Sequence, residues 1–344
     1  MPIYRTRAEV LAALAAAPKG APRAAILSVP ENRGLVFKIG ASVLLYSGRI
    51  QTTADTVTEK LSNAYTGILL RKNVRRNEPD GWGSMGGLSE LIDEDAYEKL
   101  SPSEQLKLVG YQDNVILNDR GRAVLTDDFN IIRQNNVIRE TREELADIGI
   151  ENYPIDFTKM ELTVPQGIRD DNFLINIWPG KGPGFAATSY NFILHVPEKT
   201  IDDLHAKATQ YTAHHPASEA MGYVKMPLIE TLSHWGKKGG KYQSEDGRDL
   251  SFDFRYPHQL LSHWYIASKL LNHNEKDMLQ LAAFVQTKSS HLVDFAEVAL
   301  RMDVDLDFMA GVLKISPQTM HKMRENMCAL FKQKESALKK DRSL

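Results

Sequence analysis

Glu140, Glu143 and Glu144 are spaced so that one helix would carry all three carboxylates on one arc of its surface. At 100° per residue, Ile138, Thr141, Leu145 and Ile148 form a separate apolar stripe on the same helix. Like charges three and four positions apart repel by about a few tenths of a kcal/mol per pair. A hard divalent cation, which takes oxygen ligands, is the natural offset for that repulsion. Upstream lies a glycine-rich segment, Gly81-Trp82-Gly83-Ser84-Met85-Gly86-Gly87, read as a turn. Together the two segments point to metal-assisted chemistry on phosphate.

The elements around them follow from pattern and punctuation. Thr6-Arg7-Ala8-Glu9 is a capping box opening a short Ala-rich helix, within an N-terminal segment 1–23 that lacks the apolar core of a signal peptide. Residues 24–29 and 36–46 are rich in β-formers and predict strands, as do 66–71, 159–164, 173–178, 189–196 and 222–226. Helices are expected over about 128–148, ending at Gly149, and over 200–209. Between the glycine segment and the acidic helix, residues 94–130 form an insertion with its own structure. It includes a capped helix start at Ser101-Pro102 and a turn at Asn118-Asp119-Arg120-Gly121. From about residue 256 strand signals give way to helices near 257–272, 275–287, 290–301, 305–313 and 317–333. The expected division is therefore an N-terminal helix over 1–23, a catalytic domain over 24–245 and a helical domain over 256–344. The boundary falls in the Gly/Lys/Asp-rich stretch 236–255.

Gly86-Gly87 followed by Arg139-Glu140-Thr141-Arg142-Glu143-Glu144 resembles the box of the Nudix hydrolases. That resemblance implies an α/β fold, an α/β/α sandwich with a mixed β-sheet, here with a C-terminal all-helical domain added. It implies Mg²⁺ or Mn²⁺, held by the Gly86 carbonyl and the carboxylates of Glu140, Glu143 and Glu144. Arg139 would orient Glu144. The reaction implied is hydrolysis of a nucleoside diphosphate linked to another group, with a sugar-linked or dinucleotide compound preferred. Several positions depart from the family pattern. Between Gly87 and Arg139 lie 51 residues, 38 more than the family box has, and the spaced glutamate falls on Asp93 with Glu94 beside it. Thr141 stands at an aliphatic position, Met85 precedes the glycine pair, and the closing glycine is late, at Gly149.

For the proton abstracted from water, Glu140 and Glu219 are the candidate bases. Arg71, Arg75 and Arg76 could meet phosphates, Trp82 could stack on a base, and Gly87 and the Arg169-Asp170-Asp171-Asn172 loop could approach substrate. The bland alternative for each is a solvated loop or ordinary packing. Gly81, Gly83 and Gly86 also fit G-x-G-x-x-G, but that motif needs a strand directly before it and a helix opening on it. His214-His215 lacks partners at zinc spacing, and Gly236–Lys241 lacks the spacing of a phosphate-cradling loop.

Leu306–Leu313 and Pro317–Arg324, with Ser316 as N-cap, resemble a helix-turn-helix that would offer Gln318, Thr319, His321, Lys322 and Arg324 to DNA. The alternative function is thus a Nudix-like ligand-sensing regulator that binds DNA. The alternative structural role for these helices is a bundle for packing or a homodimer contact. A third reading, an RNA processor, lacks interleaved aromatic and basic residues.

With 42% hydrophobic and 25% charged residues, the composition is that of an ordinary soluble globular protein. A net charge of −2 supplies no global field for nucleic acid. No apolar run reaches the length of a membrane span. Cys328 is the chain's single cysteine, which excludes an internal disulfide and fits a reducing cytoplasm.

Overall fold

The computed structural model describes residues 1–18, 37–73, 78–88, 115–117, 123–125, 137–163, 176–177, 186–212, 220–234, 240–243, 249–252, 257–289, 291–302 and 304–341, with the single positions 22, 25, 26, 29 and 32. In chain order its elements begin with α1 (Arg7–Ala16), β1 (Phe37–Ser47), α2 (Val57–Lys60), β2 (Tyr65–Asn73), β3 (Glu78–Gly83), β4 (Met85–Leu88), β5 (Val115–Leu117) and β6 (Ala123–Leu125). Then come α3 (Ile138–Asp147), β7 (Glu161–Leu162), β8 (Asn176–Ile177), β9 (Ala186–His195), α4 (Glu198–Thr212), β10 (Ala220–Pro227) and α5 (Leu228–His234). The hairpin β11 (Gly240–Gln243) and β12 (Asp249–Phe252) precedes five helices. These are α6 (Pro257–Leu270), α7 (Glu275–Lys288), α8 (Phe295–Met302), α9 (Leu306–Leu313) and α10 (Pro317–Asp341).

The protein is α/β, with a mixed sheet and a largely helical C-terminal region. The chain folds as two compact units. One holds Met1–Ser42, Gly86–Thr141 and Gln166–Tyr190; the other holds Val43–Met85, Arg142–Pro165 and Asn191–Leu344.

In the first unit α1 opens with the expected capping box. Thr6 Oγ1 accepts from the Glu9 amide at 3.3 Å, and Glu9 Oε2 accepts from the Thr6 amide at 3.1 Å. Buried Asn32 ties the N-terminal segment together. Its Oδ1 accepts from the Tyr4 amide at 2.8 Å, and its Nδ2 donates to the carbonyls of Pro2 (2.9 Å) and Ile26 (3.1 Å). Ala25 and Ile26 are helical, against the strand expected over 24–29. Apolar character alone does not choose strand. Ile26 is buried with its carbonyl satisfied by a side chain, so it needs no ladder partner. Within the 94–130 insertion, β5 and β6 pair antiparallel with Leu117 opposite Ala123. The turn residues 118–121 and the helix start at Ser101 lie outside the described residues.

In the second unit the strands run in the order β10-β2-β1-β9-β7, with β3 added to β2. The pairing is antiparallel where register is defined: Leu45 faces Gly67, Tyr223 faces Leu69, and Glu161 faces Ile193. All of Ala41–Ser47 is buried, as a strand covered on both faces must be. The expected strands over 36–46, 66–71, 189–196 and 222–226 are all present with slightly shifted ends. Gly67 is required where it stands, because a Cβ there would lie 1.8 Å from the Tyr223 hydroxyl.

The glycine-rich segment is strand rather than turn. Gly83, Trp82 and Gly81 in β3 face Leu69, Leu70 and Arg71 of β2, and β4 pairs with β1. Pro79 is tolerated because β3 pairs with β2 alone among the described strands, and a register shift between Arg71 and Lys72 absorbs the irregularity. Residues 236–255, expected as a boundary, contain the β11–β12 hairpin, with Tyr242 opposite Leu250.

The C-terminal helices lie near their expected positions, but α8 starts at Phe295 rather than at 290 and α10 continues to Asp341. Lys, Gln, Glu and Ala fill its last turns and neither Gly nor Pro stops it. Every residue from Gln259 to Ser268 in α6 is buried, and α6 packs against α5, α8 and α9. Trp264 meets Phe295 edge-on at 5.1 Å between ring centroids. Lys60 of α2 donates to both carboxylate oxygens of Asp277 in α7, at 2.9 and 2.8 Å. Among the described residues no helix is long and apolar enough to cross a membrane.

Candidate metal and phosphate site

α3 carries the acidic hexapeptide. Val137, Thr141, Leu145 and Ile148 are buried, with Ile138 half-buried, so the apolar stripe is the covered face. Glu143 is exposed, while Glu140 and Glu144 are half-buried. The helix ends at Gly149, as its sequence predicts. The Ile150 amide donates to the Leu145 carbonyl at 2.7 Å and the Gly149 amide to the Ala146 carbonyl at 2.9 Å, a Schellman closure. Gly149 has φ +76°, and a Cβ there would meet the Tyr211 ring at 2.2 Å. Of the residues expected over 128–136, none lies within the described set.

Arg139 Nη2 donates to Glu140 Oε1 at 2.7 Å, with 37% and 18% of the two side chains exposed. At that exposure the pair adds at most about 1 kcal/mol to stability. Its electrostatic effect is local: the guanidinium offsets one carboxylate of the acidic face.

Gly86 is buried with φ +144°. A Cβ on it would fall 2.1 Å from the Ala41 carbonyl oxygen and 2.5 Å from the Ser42 α-carbon. Only glycine allows that close approach of the backbone. Gly87 follows in β4.

Carboxylates and a main-chain carbonyl are hard oxygen donors, and that chemistry fits Mg²⁺ or Mn²⁺. Among the described residues no three His, Cys, Asp or Glu side chains are gathered to hold an ion, and Glu140 is engaged by Arg139. Glu140, Glu143 and Glu144 share α3, and carboxylate oxygen is the donor type that such a cation takes.

The other expected contacts divide by what is described. Arg71 and Trp82 are placed by their backbones in β2 and β3, and their side chains lie outside the described residues. Arg75, Arg76, Asp93, Glu94, Arg169, Asp170, Asp171, Asn172, His214, His215 and Glu219 lie outside it entirely.

At the helix-turn-helix candidate, Ser316 caps α10, with its Oγ accepting from the Thr319 amide at 3.3 Å. Glu275 accepts from the Ser316 amide and from Thr319 Oγ1, both at 2.7 Å, and these bonds hold its carboxyl below the usual range. Arg324 Nε donates to Asp294 at 2.8 Å, and His321 Nε2 lies 3.3 Å from Asp307. Thr319 is buried. Of the five side chains expected to meet DNA, Thr319 and Arg324 are thus held by partners in the bundle, while Gln318, His321 and Lys322 are exposed.

Sequence reading missed a buried polar face on α6. Gln259, Ser262 and His263 fall at i, i+3 and i+4, a spacing visible in the sequence but masked by the apolar residues around it. Ser262 Oγ lies 3.2 Å from Thr163 Oγ1, which donates to the Asn191 carbonyl at 2.9 Å. His263 Nδ1 donates to the Gln259 carbonyl at 2.7 Å. Burial pushes the His263 imidazole down to about 4, so it is neutral near pH 7. Compared with protein-family models and with curated proteins, the chain matches none.

Proposed function

We propose that this protein is a metal-dependent hydrolase of Nudix type, built on an α/β/α sandwich, that cleaves the diphosphate linkage of a nucleoside diphosphate derivative. A sugar-linked or dinucleotide compound is preferred to a triphosphate. One observation carries the reading: α3 presents Glu140, Glu143 and Glu144 away from a covered apolar stripe and is closed by Gly149. The Gly86 carbonyl and these three carboxylates would hold Mg²⁺ or Mn²⁺. When bound, that ion supplies Lewis acidity toward diphosphate oxygens and lowers the pKa of a water.

The chain's own residues do the rest. Arg139 holds the Glu140 carboxylate by a charge-assisted bond and sets its orientation. Glu140 or Glu219 takes the proton of the attacking water. The single, half-buried Cys328 fits a reducing cytoplasm as the place of action. A DNA-binding regulator is the weaker reading, since Thr319, His321 and Arg324 already have intramolecular partners.

The test is a screen of nucleoside diphosphate sugars, dinucleotides and triphosphates with Mg²⁺ and with Mn²⁺, on wild type and Glu143→Gln. Glu143 is exposed, so the variant should fold normally while turnover drops at least about 100-fold. No hydrolysis by wild type, or equal turnover by the variant, refutes the assignment.

A further inference from the structure

Gln259 sits in the first turn of α6 with its carboxamide laid over Gly83 of β3. A Cβ on Gly83 would fall 3.0 Å from both Nε2 and Oε1 of Gln259. Only 8% of Gln259 is exposed, and its Oε1 is buried without a hydrogen-bond partner among the described residues. A buried amide oxygen left without a donor is costly, and such a group needs a cause. Its backbone is pinned by the bond from His263 to the Gln259 carbonyl, so the amide is presented from a fixed turn. Any side chain at position 83 would press on it. Gly83 lies three residues before Gly86 in the chain.

We propose that the Gln259 carboxamide, held over Gly83, is a recognition point for the edge of a nucleobase. The proposal rests on the nucleotide-hydrolase reading and names the part of the substrate that is read. A carboxamide offers one donor and one acceptor side by side. Every nucleobase carries an adjacent acceptor and N–H donor on one edge, and a glutamine amide pairs with such an edge through two hydrogen bonds. Sugar and diphosphate groups have no matching planar pair.

The experiment titrates the full-length chain, with Ca²⁺ present, with ADP, GDP, CDP, UDP and inorganic pyrophosphate, in wild type, Gln259→Leu and Gln259→Glu. Wild type should bind at least one nucleoside diphosphate more tightly than pyrophosphate. Gln259→Leu should weaken that binding about ten-fold or more and leave pyrophosphate within about two-fold. Gln259→Glu, of the same size, should re-rank the four bases in favour of guanine, whose N1–H and 2-amino group donate side by side to an acceptor-only side chain; it carries the test if the leucine variant does not fold. Unchanged nucleotide affinity in both variants overturns the proposal and marks the amide as hydrated structure. Equal binding of nucleoside diphosphates and pyrophosphate by wild type overturns it as well, with the hydrolase assignment intact. Binding of neither class by wild type overturns both.

Discussion

At the scale of single residues, Thr141 is the sharpest anomaly on α3. Its side chain is fully buried and its hydroxyl has no hydrogen-bond partner among the described residues. An unsatisfied buried hydroxyl forfeits its hydration without return, at roughly 1–3 kcal/mol. Valine has nearly the same shape and no polar atom. Thr141→Val should therefore raise stability by about 1 kcal/mol in urea denaturation, with the slope on urea unchanged. A loss of stability would show that the hydroxyl has a donor or acceptor after all. The Arg139–Glu140 pair is a different kind of feature, since it is exposed enough that its value lies in orientation.

At the scale of elements, helix ends decide what is legible in the sequence. α3 stops at Gly149 and α1 starts at Thr6 because cap chemistry is local, and local signals survive in a sequence. The glycine-rich segment resembles a turn for the opposite reason: its glycines answer to distant neighbours. Gly83 makes room for Gln259, and Gly86 for the Ala41 carbonyl, contacts separated by many residues in the chain. Likewise the acidic face is legible from spacing, whereas the buried amide beside Gly83 is not.

Another helix end of the Schellman type carries a prediction. The Ile315 amide donates to the Ala310 carbonyl at 3.1 Å and the Lys314 amide to Gly311 at 3.2 Å, which puts Lys314 at φ +55°. A left-handed conformation costs a non-glycine residue about 1–2 kcal/mol, and the lysine is exposed, with its ammonium a distant 6.0 Å from the Tyr265 ring. Lys314→Gly should stabilise the protein by about 0.5–1 kcal/mol and raise its thermal midpoint by a few degrees. An unchanged or lowered midpoint would mean that the lysine side chain contributes more than its backbone costs.

At the scale of the whole molecule, His263 couples proton concentration to global stability. It is fully enclosed in α6, itself buried along most of its length, so its protonation state belongs to the folded unit rather than to a surface patch. Burial depresses its pKa from the ordinary 6.5 to about 4, although its bond to the Gln259 carbonyl acts in the other direction. Above about pH 6.5 the imidazole is neutral in both folded and unfolded chains, and its contribution is complete. Between about 6.5 and 4 the unfolded chain binds the proton and the folded chain does not, so stability falls as pH falls. Below about pH 4 both states are protonated and the loss levels off at roughly 3 kcal/mol. Carboxylates also titrate toward the acid end of this window, so the histidine is isolated by difference. Unfolding free energies of wild type and His263→Leu, measured by urea from about pH 7 to pH 4, should change by different amounts, with wild type losing roughly 3 kcal/mol more than the variant across the range. The absolute stability of the variant can move either way, because a hydrogen bond to Gln259 is removed along with the buried ring. Only the slope reports the proton. Parallel curves would mean that the folded protein accepts a proton at His263 as readily as the unfolded chain does.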